Sequence, residues 1–344
     1  MEELLISADS HVMEPHDLWE KALTPRFGDA APKFKKLAVG ESFQHHAGGT
    51  DPHARVKEMA QDGVSAEVLY PTLGLSLFGL DDAKLQEACF QVYNDWLMDY
   101  CKVSPDRLIG IAAIAVYDID VAVKELRRCK EAGLKGAIVW EVPHADLPFH
   151  SSHYDPFWAA CQELDMPLSL HILTGHGYVK TRGLNGTGVE HYRGSVNIKT
   201  YDAMNAVFDL VFYGILERYP RLKLVMVEHE IGWIPWLMQQ WDYYYNRFKK
   251  VNPPPITMNP SEYYKRQVYA TFFNDHVGTE TLAFWKDNNC MWSNDFPHEN
   301  STWPNSRKVI ERDLGSLPEA TRAELVRGTV VDLYKLRVPE PVGV

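Results

Sequence analysis

Eight short apolar runs recur along this chain, separated by longer stretches with helical spacing, and that alternation limits the fold more than any other feature. The runs occupy residues 4–9, 66–71, 108–114, 136–141, 167–172, 223–229, 268–273 and 290–295. They are nearly continuous in apolar residues, as parallel strands buried on both faces require. Amphipathic stretches at 55–61, 82–103, 120–132, 155–164, 201–219, 235–249 and 279–287 lie between them. Gly63 and Gly133 close two of these as helix C-caps, and Pro105 and Pro220 follow two others. A length of 344 residues would allow two domains. The unbroken strand–helix alternation predicts instead one α/β domain over residues 1–344, a (β/α)8 TIM barrel.

A barrel of this type needs about 250 residues. The surplus falls in an insertion after strand one (15–50), another after strand five (175–200), a proline-rich segment at 251–262 and a C-terminal helical tail at 304–314 and 318–336. Both insertions follow the C-terminal end of a strand, where barrel enzymes build their sites. The second carries Gly175, Gly177, Gly183, Gly186 and Gly188, which fit a mobile lid or a static surface loop. The proline-rich segment reads as a rigid arm.

Charge and motifs exclude several functions. Lys and Arg number 35 against 46 Asp and Glu, a net charge of −11. Such a chain is a poor general ligand for nucleic acid or an anionic membrane. No window approaches 18 uninterrupted apolar residues, and no basic stretch precedes an apolar segment of signal-peptide length. The five cysteines are scattered without a CxxC, as expected of reduced thiols in a cytoplasmic protein. GxGxxG, P-loop and GxSxG motifs are missing, which argues against nucleotide binding and serine hydrolysis.

The chain has 14 histidines, and their positions carry more information than their number. Strand one ends Asp9-Ser10-His11, and residues two apart on an extended segment share a face. Strand five ends in His171, strand six in Glu228-His229 and strand eight in Asn294-Asp295. Imidazoles and carboxylates converging from separate strand ends are the ligand chemistry of Zn²⁺ or Mn²⁺. The expected substrate is a small molecule.

Together with the segments ADSHVMEP, RVKEMAQDGV, LERYPRLKLVMVEHEIGWIPW and WSNDFPH, this constellation resembles the amidohydrolase superfamily. The branch it resembles contains aminocarboxymuconate semialdehyde decarboxylase and γ-resorcylate decarboxylase. The resemblance spans essentially the whole chain. It implies one divalent metal held by Asp9, His11, His171 and Asp295, with His229 as the catalytic histidine beside it or as a further ligand. The superfamily's common HxH after strand one is DxH here. Binuclear relatives place a lysine at the end of strand four, where this chain has Glu141, so a single metal is expected. A homodimer is also implied.

Two activities follow from this set. The first is nonoxidative decarboxylation of a small aromatic or ring-cleavage acid, with Asp295 or His229 supplying the proton. The alternative is hydrolysis of an ester, amide or C–C bond by metal-bound hydroxide. A catalytically silent metal-binding barrel is a third reading. By the resemblance, Arg55 would grip a substrate carboxylate through its planar fork. Arg247 could reach a site on the same or a neighbouring subunit. Trp140, Phe296, Tyr70, Phe273 and Trp303 are candidates for an apolar slot, and His298 for binding substrate or orienting a ligand. His45, His46 and His53 read as surface residues.

Overall fold

The eight runs form eight strands in the computed structural model, which describes residues 4–35, 46–177, 189–193, 197, 199–285 and 289–337. They are β1 (Leu5–His11), β2 (Val64–Tyr70), β3 (Leu108–Ala113), β4 (Gly136–Val139), β5 (Leu168–His171), β6 (Leu224–Val227), β7 (Val268–Phe272) and β8 (Cys290–Trp292). They lie in chain order in one sheet, and every consecutive pair is parallel. All strand residues are buried except the half-buried Tyr269. This is the expected (β/α)8 barrel.

The helices begin and end where local chemistry dictates. They are α1 (Leu18–Phe27), α2 (Pro52–Asp62), α3 (Ala83–Cys101), α4 (Ile119–Glu131), α5 (Asp155–Leu164), α6 (Lys199–Phe212), α7 (Ile234–Phe248), α8 (Pro260–Gln267), α9 (His276–Trp285), α10 (Ser306–Leu314) and α11 (Thr329–Tyr334), with short helical turns between some of them. Asp51, Asp82 and Asp118 cap α2, α3 and α4 by accepting N–H bonds in the first turn. Gly63, at φ +72°, ends α2 in the left-handed conformation that glycine adopts without penalty.

Three elements depart from the sequence expectation. The helix expected over 201–219 is interrupted at Gly214, where a Cβ would lie 2.6 Å from the Pro255 carbonyl. That contact also shows what the proline-rich segment does. It folds back on its own chain, burying Ile256, and Thr257 and Met258 donate their N–H groups to the Tyr263 hydroxyl. It is not a projecting arm. The tail helix expected over 318–336 is divided by a π-helical turn, Glu324–Gly328, which packs against β1 and β8. Beyond it the Tyr334 hydroxyl lies 3.3 Å from that of Tyr70 inside the barrel. The insertion after β5 falls largely outside the described residues, including Gly183, Gly186 and Gly188. Among the described residues no helix is long and apolar enough to cross a membrane. All five cysteines are buried and free.

Closure between β8 and β1 joins the C-terminal part of β1 to the residues just beyond β8. The Asp295 N–H donates to the Asp9 carbonyl at 3.1 Å, and the His11 N–H to the Phe296 carbonyl at 2.7 Å. A buried polar network surrounds this seam. Arg55 donates from Nε to Glu67 Oε2 at 2.5 Å and from Nη1 to the His11 carbonyl at 2.6 Å. Its Nη2 meets the Phe296 carbonyl at 3.3 Å. Asn294 donates to Asp62 and Glu67 and accepts from Ser10 Oγ and the Phe296 N–H.

Removing one member of a buried ion pair leaves an uncompensated charge and destabilises by about 3–5 kcal/mol, whereas replacing both with apolar residues can be near neutral. Glu67→Leu is therefore expected to lower stability by about that amount in urea denaturation, and the double variant Arg55→Met/Glu67→Leu by clearly less. Additive losses would contradict the pairing.

Candidate metal centre and active site

Four strand ends deliver acceptor atoms to one buried point. His11 Nε2 lies 3.5 Å from Asp9 Oδ1 and 3.5 Å from Asp295 Oδ1. His171 Nε2 lies 3.3 Å from His11 Nε2, 3.9 Å from Asp9 Oδ1 and 3.7 Å from Glu228 Oε2. Ligands about 2.0–2.2 Å from one ion stand about 3–3.5 Å apart when adjacent, so most of these separations are near those of a shared cation. Two overlapping groups emerge, both containing His11 and Glu228. One adds Asp9 and His171, the other Asp295 and His298. The four expected ligands are thus divided between the two groups.

The hydrogen bonds behind the imidazoles test the fit of a metal. His11 Nδ1 lies 2.7 Å from the Pro71 carbonyl, and His171 Nδ1 3.0 Å from the Ile172 carbonyl. A carbonyl can only accept, so each ring carries its proton on Nδ1 and turns the Nε2 lone pair inward. Burial, then the neighbouring His298 and His171, holds the His11 imidazole well below its ordinary pKa, so it stays neutral. Lone pairs facing one another amid carboxylates suit a divalent cation, and the donor set is one Zn²⁺ and Mn²⁺ both accept.

Backbone strain marks the same place. Asp295 and Glu228 have φ of +53° and +67°, a region non-glycine residues rarely occupy and one that clusters at functional sites. Just past the end of β6, the chain leaves the extended conformation at Glu228, and Glu228 and His229 are both buried. Strict two-residue periodicity hid Glu228, although it stands beside His229 in the sequence.

A second tier holds the proton-active groups. His229 Nε2 lies 2.5 Å from Glu141 Oε1, with both side chains buried. Burial raises the Glu141 carboxyl well above its ordinary pKa. His298 Nδ1 lies 2.9 Å from Asp295 Oδ1, and its ring stacks on His11 at 4.0 Å. Its Nε2 is 3.3 Å from the Thr72 hydroxyl. Buried Glu14 fixes the loop bearing Thr72 by accepting the N–H groups of Thr72, Leu73 and Gly74.

The remaining sequence candidates go to other places. Arg55 is fully buried in the β8–β1 seam, its guanidinium over the Phe296 ring at 4.6 Å. Its hydrogen bonds to Glu67 and to the His11 and Phe296 carbonyls engage the scaffold, where the resemblance implied a substrate grip. Phe296 packs between Arg55, His46 and Trp303. His46 is therefore part of this packing, not a bare surface residue. Trp140 is buried beside Tyr117 and His176, with ring centroids at 4.8 and 5.8 Å. Tyr70 lies in the barrel interior, its hydroxyl 3.0 Å from Ser169 Oγ, rather than at the mouth. Arg247 is exposed near the end of α7, over the Phe248 ring, and this single chain does not bring it to the cluster.

A family model for amidohydrolases matches residues 14–336. The γ-resorcylate decarboxylase of Rhodococcus jostii is 28% identical over 270 residues, covering 71% of this chain and 75% of the relative. Among solved structures, an amidohydrolase from Mycobacterium avium subsp. paratuberculosis superposes with a TM-score of 0.79 at 17% identity, covering 97% of this chain and all of the other. A dihydroxybenzoic acid decarboxylase from Polaromonas, solved with manganese and 2-nitroresorcinol, gives 0.72 at 21% identity, with 97% and 98% covered. At such identities the likeness is one of fold.

Two outcomes are expected. Protein grown with manganese carries about one ion per chain by elemental analysis, and His171→Ala loses at least about tenfold in affinity; unchanged affinity would remove His171 from the ligand set. Burial raises the Glu14 carboxyl from 4.5 to about 7. A raised carboxyl pKa means that the folded chain keeps a proton the unfolded chain has released, so stability falls as pH rises from about 4.5 to 7. Glu14→Gln should abolish that fall relative to the parent, measured as denaturation midpoint against pH. A pH-independent difference between the two would contradict it.

Proposed function

Because this chain belongs to the amidohydrolase family, we propose that it is a single-metal, nonoxidative decarboxylase of a small hydroxy-substituted aromatic acid. The observation that carries the reading is the buried convergence of His11, His171, Asp9, Asp295 and Glu228 acceptors, with Glu141 turned to His229 instead of into that cluster. The decarboxylases among its relatives give the reaction class. Asp9, His11, His171 and Asp295 would hold the ion, with Glu228 facing the same point.

A bound divalent ion supplies positive charge for the oxygens of the substrate. The protein does the rest. Asp295, with His298 on its Oδ1, delivers a proton to the ring carbon that bears the carboxylate. The C–C bond then breaks, its electron pair returns to the ring and CO2 departs. His298 and Thr72 hold the Asp295 carboxyl in line, and His229 stabilises or relays charge at the neighbouring oxygen. Burial of the whole cluster excludes water and strengthens each of these interactions.

Manganese-loaded protein is expected to release CO2 from 2,6-dihydroxybenzoate or a related hydroxybenzoate. Asp295→Asn should lower that rate by at least about 100-fold. Hydrolysis of esters, lactones or amides with no CO2 from a broad panel of hydroxybenzoates would overturn the reading in favour of a hydrolase.

A further inference from the structure

The three central histidines are wired in opposite senses. His11 and His171 donate from Nδ1 to main-chain carbonyls, which leaves Nε2 for the metal. His229 engages a side-chain carboxyl with the other nitrogen: its Nε2 lies 2.5 Å from Glu141 Oε1. A ring held by Nε2 turns Nδ1 away from that partner, so its chemistry is reversed relative to its neighbours.

Glu141 is itself firmly placed. Its N–H donates to Thr174 Oγ1 at 2.8 Å, and that hydroxyl donates to the His171 carbonyl at 2.8 Å. The adjoining Val142 pairs with Gly175, and a Cβ at Gly175 would lie close to the Val142 carbonyl and 2.7 Å from the Trp140 Cβ. The end of β4 is thereby pinned to the end of β5, a metal-ligand strand. Glu141 then reaches the end of β6, where the Glu228 N–H donates to Thr271 Oγ1 of β7 at 2.8 Å. Nothing in this arrangement spends the Glu141 carboxyl on the scaffold; its short contact is to His229.

We propose that Glu141 is the positioning residue of His229: as the carboxylate it fixes the ring with its proton on Nε2 and presents Nδ1 to the substrate. The role rests on the reading of this site as a decarboxylase centre with His229 in its proton chemistry. Glu141 belongs to neither group of candidate metal ligands and would act through the imidazole. The fourth strand, which gives binuclear relatives a metal ligand, here gives an orienting carboxyl.

The test uses full-length protein loaded with diamagnetic zinc and labelled with 15N-histidine. An imidazole Nε2–H held by a carboxyl gives a strongly downfield proton signal, which His229→Asn identifies by its loss. Glu141→Ala should abolish the signal, and Glu141→Gln, which keeps an acceptor oxygen, should retain it at a less downfield position. Zinc stoichiometry should stay at the parent level in both. With 2,6-dihydroxybenzoate, Glu141→Ala should lower kcat by about 10- to 100-fold with KM within about twofold, and Glu141→Gln should recover part of it. A signal that persists in Glu141→Ala, or loss of zinc from both variants, would overturn the proposal. If Glu141→Ala does not fold, an unchanged signal in Glu141→Gln overturns it. The spectrum needs no turnover, so absence of decarboxylation in the parent protein would sink the reaction and leave the wiring separately decided.

Discussion

Everything at the centre of this molecule depends on how β8 is fastened to β1. The strands do not simply zip together. Two backbone bonds between the C-terminal part of β1 and the residues just past β8, from Asp295 to Asp9 and from His11 to Phe296, complete the ring. Asp9, His11 and Asp295 are also side chains of the candidate metal centre, so the bonds that close the barrel also position that site. Arg55, Glu67, Asp62 and Asn294, all buried, hold the seam from behind. Asp62 binds both the N–H and the hydroxyl of Ser306, at 2.9 and 2.5 Å, which ties the start of α10 to the same network. A half-satisfied version would be worse than an apolar core. That requirement explains why the strained φ of Asp295 is tolerated: the surrounding bonds leave the residue no relaxed alternative.

The histidines show a division of labour set by hydrogen-bond partners alone. Main-chain carbonyls behind His11 and His171 dictate one tautomer, and for His229 the proposed partner is the Glu141 carboxyl, close to the other ring nitrogen. The same side chain thus serves as a metal donor or as a proton-handling group according to which nitrogen the scaffold occupies. Charge plays a lesser part in this, because burial keeps His11 neutral. The acidic surface of the chain does not decide what the site binds; a buried cation can hold a small carboxylate against a net charge of −11.

Much of this was legible in the residues. Strand order and the convergence of Asp9, His11 and His171 follow from apolar runs and two-residue spacing, and the structure shows both. Arg55 shows the limit of that kind of reading. An arginine before a strand looks the same in sequence whether it grips a ligand or a scaffold, and the partner that decides it, Glu67, sits inside an apolar run where a carboxylate reads as an interruption. Glu228 was hidden because the chain leaves the extended conformation there, just past β6, and two-residue spacing no longer applies. The break at Gly214 and the fold-back of residues 251–262 depend on a contact between distant segments, which no local propensity encodes. The π-helical turn in the tail likewise answers to its packing against β1 and β8.

The central claim is that His11 and His171 offer Nε2 to one ion while His229 does not. Anomalous diffraction from crystals grown with manganese tests it directly. The account predicts one peak per chain, about 2.0–2.3 Å from Nε2 of His11 and of His171, with His229 Nε2 still against Glu141. A peak ligated by His229 Nε2, or no peak between His11 and His171, would contradict it.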